Sequence, residues 1–230
     1  MRRGLPLLGL ILVVALGGLA AWLLADRRSS SSGPVTQARR VPTRADPRLT
    51  RRVRKRLPLQ LVERRTGLLP APVQDAAAAE VGNRRAALLG GLTAADTSTD
   101  SILVAGPTGA RRNGRLPAAL HDSAAAAIGG SVYLFGGGDG VRQLDTIVRV
   151  DPGSGGAAAT GRLPAPSSDQ AAAVVGGTAY VIGGYTGARW LDSIVAWRPG
   201  SRSRVVAHLP SALRYAAVTA VGKAVVIAGG

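Results

Sequence analysis

Residues 116–137 read LPAALHDSAAAAIGGSVYLFGG, and residues 163–184 read LPAPSSDQAAAVVGGTAYVIGG. A Leu-Pro pair, one aspartate, an alanine-rich run, a glycine doublet, an apolar run and a second doublet recur at one spacing. The two copies lie 47 residues apart. The landmarks continue as Leu144-Asp145 and Asp151-Pro152 in the first of these copies, and as Leu191-Asp192 and Arg198-Pro199 in the second. An earlier copy runs from Leu69-Pro70 through Asp75, Gly90-Gly91 and Asp100 to Gly106-Pro107. A later one begins at Leu209-Pro210 and reaches Gly229-Gly230. A period of this length indicates one supersecondary unit stacked side by side, so the repeat decides the fold.

Within the copy that starts at Leu116, the run Ala124–Ile128 ends at Gly129-Gly130, a doublet suited to a tight hairpin turn. Ser131–Phe135 follows as a strand and runs into Gly136-Gly137. Thr146–Val150 reads as a third strand closed by Asp151-Pro152-Gly153, and Ala157–Thr160 as a weaker fourth. The next copy substitutes Ala171–Val175, Thr178–Ile182 and Ser193–Trp197, and the last repeats the opening hairpin as Ala216–Val221 and Ala224–Ala228. Four short strands per unit predict an all-β propeller of four-stranded blades, about three and a half of them, over residues 67–230. Alanines in the first strand suit a position near the axis, where blades converge. Three and a half blades do not close a ring, so the reading expects a piece of a longer product, an arc with two raw edges.

Tyr133-Leu134-Phe135-Gly136-Gly137 and Tyr180-Val181-Ile182-Gly183-Gly184 place an aromatic three positions ahead of a double glycine, with a proline-containing turn later in each copy. This unit resembles a kelch repeat, and the tandem pattern resembles bacterial membrane-anchored kelch proteins. Departures are Ala87 at the aromatic position of the first copy, and Val205 or Ala158 where the family carries a late tryptophan. The resemblance implies a propeller whose binding surface is made by loops at one mouth of the central channel.

The totals exclude several chemistries. The chain has 29 basic and 13 acidic residues and only 3% aromatics, too few for the stacking platforms of single-strand nucleic-acid binders. No cysteine is present, which removes disulfides, zinc–thiolate sites and thiol nucleophiles. Two histidines, His121 and His208, do not make a histidine-rich metal site. The reading therefore expects no metal, no cofactor and no nucleic-acid partner. The glycine doublets are not phosphate loops, because no helix and no Gly-Lys follow them.

Met1-Arg2-Arg3 precedes an uncharged stretch, Gly4–Ala25, long enough to cross a hydrocarbon core of roughly 30 Å. Residues 1–25 are therefore expected to be an N-terminal transmembrane helix, either an uncleaved anchor or a signal segment, with Trp22 at headgroup level. The expected location is a membrane, single-pass, with the repeats outside the cytoplasm. Residues 26–66 read as a flexible basic linker, with 13 basic residues between Arg27 and Arg65 against Asp46 and Glu63. Its densest run, Arg51, Arg52, Arg54, Lys55 and Arg56, suits contact with anionic lipid headgroups.

The loop leading into each first strand repeats as Gln74-Asp75, His121-Asp122, Ser168-Asp169 and Arg214-Tyr215. Asp75, His121, Asp122, Ser168, Asp169, Arg214 and Tyr215 are the candidate ligand-binding residues at the channel mouth. The competing structural reading is that each Asp caps its own turn. Asp100, Asp145 and Asp192 repeat before the third strand, where a turn-fixing role is expected. Gly90, Gly91, Gly136, Gly137, Gly183, Gly184, Gly229 and Gly230 are read as structural, serving backbone conformation and close packing. No catalytic residue is assigned, since His121 has no evident nucleophile. The function expected is a membrane-tethered scaffold binding a protein or glycan. The alternative implied by the resemblance is a carbohydrate-active enzyme such as a sugar mutarotase; a copper radical oxidase of the galactose oxidase kind needs a cysteine that the sequence lacks.

Overall fold

The protein's structure, a computed structural model, describes residues 11–14, 65 and 67–230. In chain order the strands are β1 (Ile11–Val14), β2 (Ala77–Glu80), β3 (Ala86–Leu89), β4 (Thr99–Gly106) and β5 (Gly109–Leu120). Then come β6 (Ala124–Ile128), β7 (Ser131–Phe135), β8 (Thr146–Val150), β9 (Ala157–Arg162) and β10 (Ala171–Val175). The last are β11 (Thr178–Ile182), β12 (Leu191–Trp197), β13 (Arg204–Leu213), β14 (Ala217–Val221) and β15 (Ala224–Ala228). β2 to β5, β6 to β9 and β10 to β13 are three antiparallel four-stranded meanders, each one blade. β14 and β15 form the opening hairpin of a fourth sheet.

The hairpins form where the sequence predicts them because the turn glycines take backbone angles closed to other residues. Gly129 and Gly130 have φ of 59° and 81°, and Gly176 and Gly177 have 58° and 73°. Two successive positive φ values match the right-handed twist of the flanking strands. β6, β10 and β14, the alanine-rich first strands, contact one another from blade to blade, as expected for innermost strands. The third and fourth strands of each blade slip register near Ile102, Ile147 and Ile194, with a second slip near Thr99 and Leu191 in the first and third blades, and such bulges add local twist.

The outer strands run further than their sequence suggests. β9 extends to Arg162, and β5 and β13 carry Leu116-Pro117 and Leu209-Pro210 within them. The Leu-Pro landmark therefore closes one blade instead of opening the next. Its leucine is buried in all three cases (Leu116, Leu163, Leu209), while its proline is exposed on an edge where no ladder N–H is needed.

Apolar cores fill the spaces between successive sheets. Ala87, Leu89, Ile102, Val132 and Leu134 pack between the first two blades, and Tyr133, Phe135, Ile147, Val181 and Trp197 between the next two. Trp197 is the largest fully buried side chain. Its ring lies 4.8 Å from that of Tyr133 and 5.6 Å from that of Phe135, so the third blade plugs into the second. Ile182, Ile194, Leu209, Val225 and Ile227 form the third core.

One expectation changes at the last sheet. The outer edge of β15 is not raw: β1 pairs with it in parallel, Ile11 opposite Val225 and Val14 opposite Ala228. An unpaired edge offers a row of N–H and C=O groups, and a β-branched apolar segment is well suited to take them. The stretch expected to be a transmembrane helix is thus described only at Ile11–Val14, and there it is a strand. Its remainder and the basic linker, Arg51, Arg52, Arg54, Lys55 and Arg56 included, lie outside the described residues. Among the described residues no helix is long and apolar enough to cross a membrane.

Candidate ligand-binding site

The residues leading into the innermost strands share one backbone conformation. Asp75, Asp122, Asp169 and Tyr215 have φ of 53°, 52°, 61° and 53°, in the left-handed region that Asp tolerates better than Tyr. Their main chains are linked from blade to blade. The N–H of Asp122 donates to the carbonyl of Asp75 (3.1 Å), that of Asp169 to Asp122 (2.9 Å), and that of Tyr215 to Asp169 (3.0 Å). This chain of peptide groups brings the predicted residues together at one end of the blades.

Their side chains do not cap their own turns, contrary to the structural reading of the sequence. Asp169 is almost wholly buried and accepts from Arg214, whose Nε lies at 2.7 Å and Nη2 at 2.5 Å from Oδ2. Burial in the absence of this partner would strand a charge, so the pair holds both side chains in place. Asp122 sits between Asp75 and Asp169. Its carboxyl is pushed up to about 6, first by burial, then by the charges of Asp169 and Asp75, with His121 pulling partway back. His121 accepts or shares a proton with Ser98 at Nδ1 (2.9 Å), while its Nε2 faces Asp122 Oδ2 at 3.8 Å. If Ser98 donates, the remaining ring N–H points to the carboxylate, a mutually consistent tautomer. Asp75 is exposed at the rim, and Ser168 is buried, its backbone paired with Tyr185.

Two further residues complete the site and were not singled out from sequence. The Arg214 guanidinium lies over the Tyr185 ring at 4.3 Å, with Tyr215 at 5.1 Å and Trp190 at 5.9 Å. Trp190 is 52% exposed and Tyr215 63%. Large aromatics so open to water, with a cation beside them, are unusual in a chain with few aromatics. The signal was available by aligning the copies. Isolated bridges pair His121 with Gly138 and Gly138 with Gln143, and likewise Ser168 with Tyr185 and Tyr185 with Trp190. Tyr185 and Trp190 therefore stand where the preceding blade has Gly138 and Gln143.

The second aspartate set does something other than fix turns. Asp100 pairs with Arg115 at 3.0 Å, Asp145 with Arg162 at 2.6 Å, and Asp192 with His208 at 3.0 Å. Each ties the start of a third strand to its fourth-strand neighbour, the two arginine contacts as opposite-charge pairs across the sheet and the His208 contact as a hydrogen bond. The glycine doublets lie at the blade seams: the N–H of Gly91, Gly137 and Gly184 donates to Leu120, Ser167 and Leu213, each at 2.8 Å. Among the described residues no three carboxylates and imidazoles converge as a metal-holding group.

A family model described as the kelch motif matches residues 166–205. Among solved structures, one described as "Structure of YjhT" is similar, with a TM-score of 0.58 and 15% identity over 67% of this chain. The chain spans 57% of that structure's length. No curated protein matches the sequence. Residues 166–205 thus carry a kelch motif, and the four-stranded sheets have the fold of kelch-type propeller blades.

Proposed function

We propose that this chain is a binding scaffold whose ligand, a glycan or a protein, docks on the platform of Tyr185, Trp190, Arg214 and Tyr215. The observation that carries the reading is Arg214, anchored by Asp169 and flanked by exposed aromatic rings. Rigid aromatics with a preset guanidinium bury area on binding with little loss of rotamer freedom. Screening of the chain on glycan and peptide arrays should yield a ligand whose affinity falls at least tenfold in both Trp190→Ala and Arg214→Gln. Retained affinity in both variants would place the binding surface elsewhere.

A sugar mutarotase is supported by one observation, the Asp122 carboxyl pushed up to about 6, a group placed to give or take a proton near neutral pH, with His121 Nε2 3.8 Å from its Oδ2. Exchange of sugar anomers followed by NMR separates the two readings. Catalysed exchange abolished by Asp122→Asn favours the enzyme, and binding without exchange favours the scaffold. The membrane tether is proposed from the basic run at residues 51–56.

A further inference from the structure

Trp190 has a second side. Besides standing near Arg214, it walls a cleft of about 350 Å³ formed by the segment joining β9 to β10 and by the outer strands β12 and β13. Leu163, Val205 and Trp190 supply its apolar wall, and Ser193, Asp192 and His208 its polar edge. Of the platform residues only Trp190 lines it, so the indole of Trp190 is common to both.

Resting on the glycan form of the proposed function, we infer that this cleft is an adjoining subsite for a further sugar ring, making the ligand an oligosaccharide instead of a monosaccharide. Three features support this. The volume is at the small end of ligand clefts, too little for a folded partner and sufficient for one or two sugar rings. Its wall pairs a half-exposed indole with aliphatic side chains, a surface for the apolar face of a pyranose. Its edge pairs acceptors with donors: Asp192 Oδ1 lies 3.0 Å from His208 Nδ1, leaving Oδ2 and the far ring nitrogen for hydroxyl groups. The His208 hydrogen bond also holds the Asp192 carboxyl below its usual range, so it stays an acceptor at neutral pH. A chain of sugar units resting on both sides of Trp190 would contact Arg214 with one ring and His208 with the next.

Chain length and site should then be coupled, which calorimetry on the full chain measures. The probes are neutral sugars, as monosaccharide, disaccharide and trisaccharide of the series that the glycan array selects. Affinity should rise at least tenfold from the monosaccharide to the longer members. His208→Ala should abolish that rise and leave monosaccharide affinity within twofold. Val205→Trp, which fills the cleft from an exposed position, should do the same. Arg214→Gln should weaken all members together. Equal affinity for short and long sugars, or a uniform loss in His208→Ala and Val205→Trp, overturns the subsite and leaves the platform standing. Absence of any sugar binding, with peptides bound instead, overturns the subsite and the glycan reading together.

Discussion

Asp122 is a carboxylate set among carboxylates, and the consequence is a pH dependence of definite sign. An unfolded aspartate ionises near 3.8, whereas the folded one does so only near 6, held up first by burial and then by Asp169 and Asp75. Raising pH between those values therefore ionises the unfolded chain preferentially and weakens the fold. Asp122→Asn keeps a side chain that tolerates the left-handed backbone while removing the charge. It should raise stability at pH 7.5 by about 1–2 kcal/mol, after discounting for solvent screening, and leave it nearly unchanged at pH 4. Thermal melts of both proteins across that range measure it; a variant equally stabilised at both ends would show that the gain is not electrostatic. Residues of this kind were half legible in the sequence. The repeated aspartates mark the right loops, but that Asp169 is buried against Arg214 while Asp75 is exposed depends on what each neighbouring blade presents. Tyr185 and Trp190 escaped for another reason: they follow the glycine doublet or precede Leu-Asp, and only one copy has aromatics at those positions.

The inner strands are legible in the sequence because their pattern is redundant. β6 and β7 lie where apolar runs flank Gly129-Gly130, and β10 and β11 repeat them. The outer strands are less legible. β5 contains Arg111, Arg112, Asn113, Gly114 and Arg115, an edge strand wetted enough to show no alternation. Glycine has two different roles in these elements, and substitution separates them. At Gly130 an added Cβ meets nothing within 4 Å, so Gly130→Ala should cost only the left-handed backbone, about 1 kcal/mol. At Gly136 the same Cβ would run into the Ser167 carbonyl and the Gln170 amide of the next blade. Gly136→Ala should cost at least 3 kcal/mol, of the order of a disrupted core site. Denaturant titration compares the two, and similar losses would mean that the seam is looser than its hydrogen bonds indicate.

For the molecule as a whole, charge is distributed unevenly along the chain. Residues 27–65 carry 13 of its 29 basic groups, and the platform end of the blades carries three aspartates. If the basic run holds the protein to a surface, that attachment is electrostatic and screens with salt. Full-length chain should bind vesicles containing anionic lipid in a way that weakens several-fold between about 0.1 M and 0.5 M salt. Replacing Arg51, Arg52, Arg54, Lys55 and Arg56 by Gln should remove the salt-sensitive part. Binding that ignores both changes would assign attachment to the apolar stretch instead.

The chain of peptide groups through Asp75, Asp122, Asp169 and Tyr215 has a consequence for how such a protein can change over generations. The joint between neighbouring blades there is made by N–H and C=O, which every residue except proline provides. Side chains at those positions are consequently not required for that joint, although Asp169 adds a second one by pairing with Arg214. Tyr215 illustrates the freedom: it stands where the other copies keep aspartate, accepts the same left-handed backbone, and still donates to Asp169. A surface assembled on such joints can exchange acids for aromatics one copy at a time, so recognition drifts while the architecture persists.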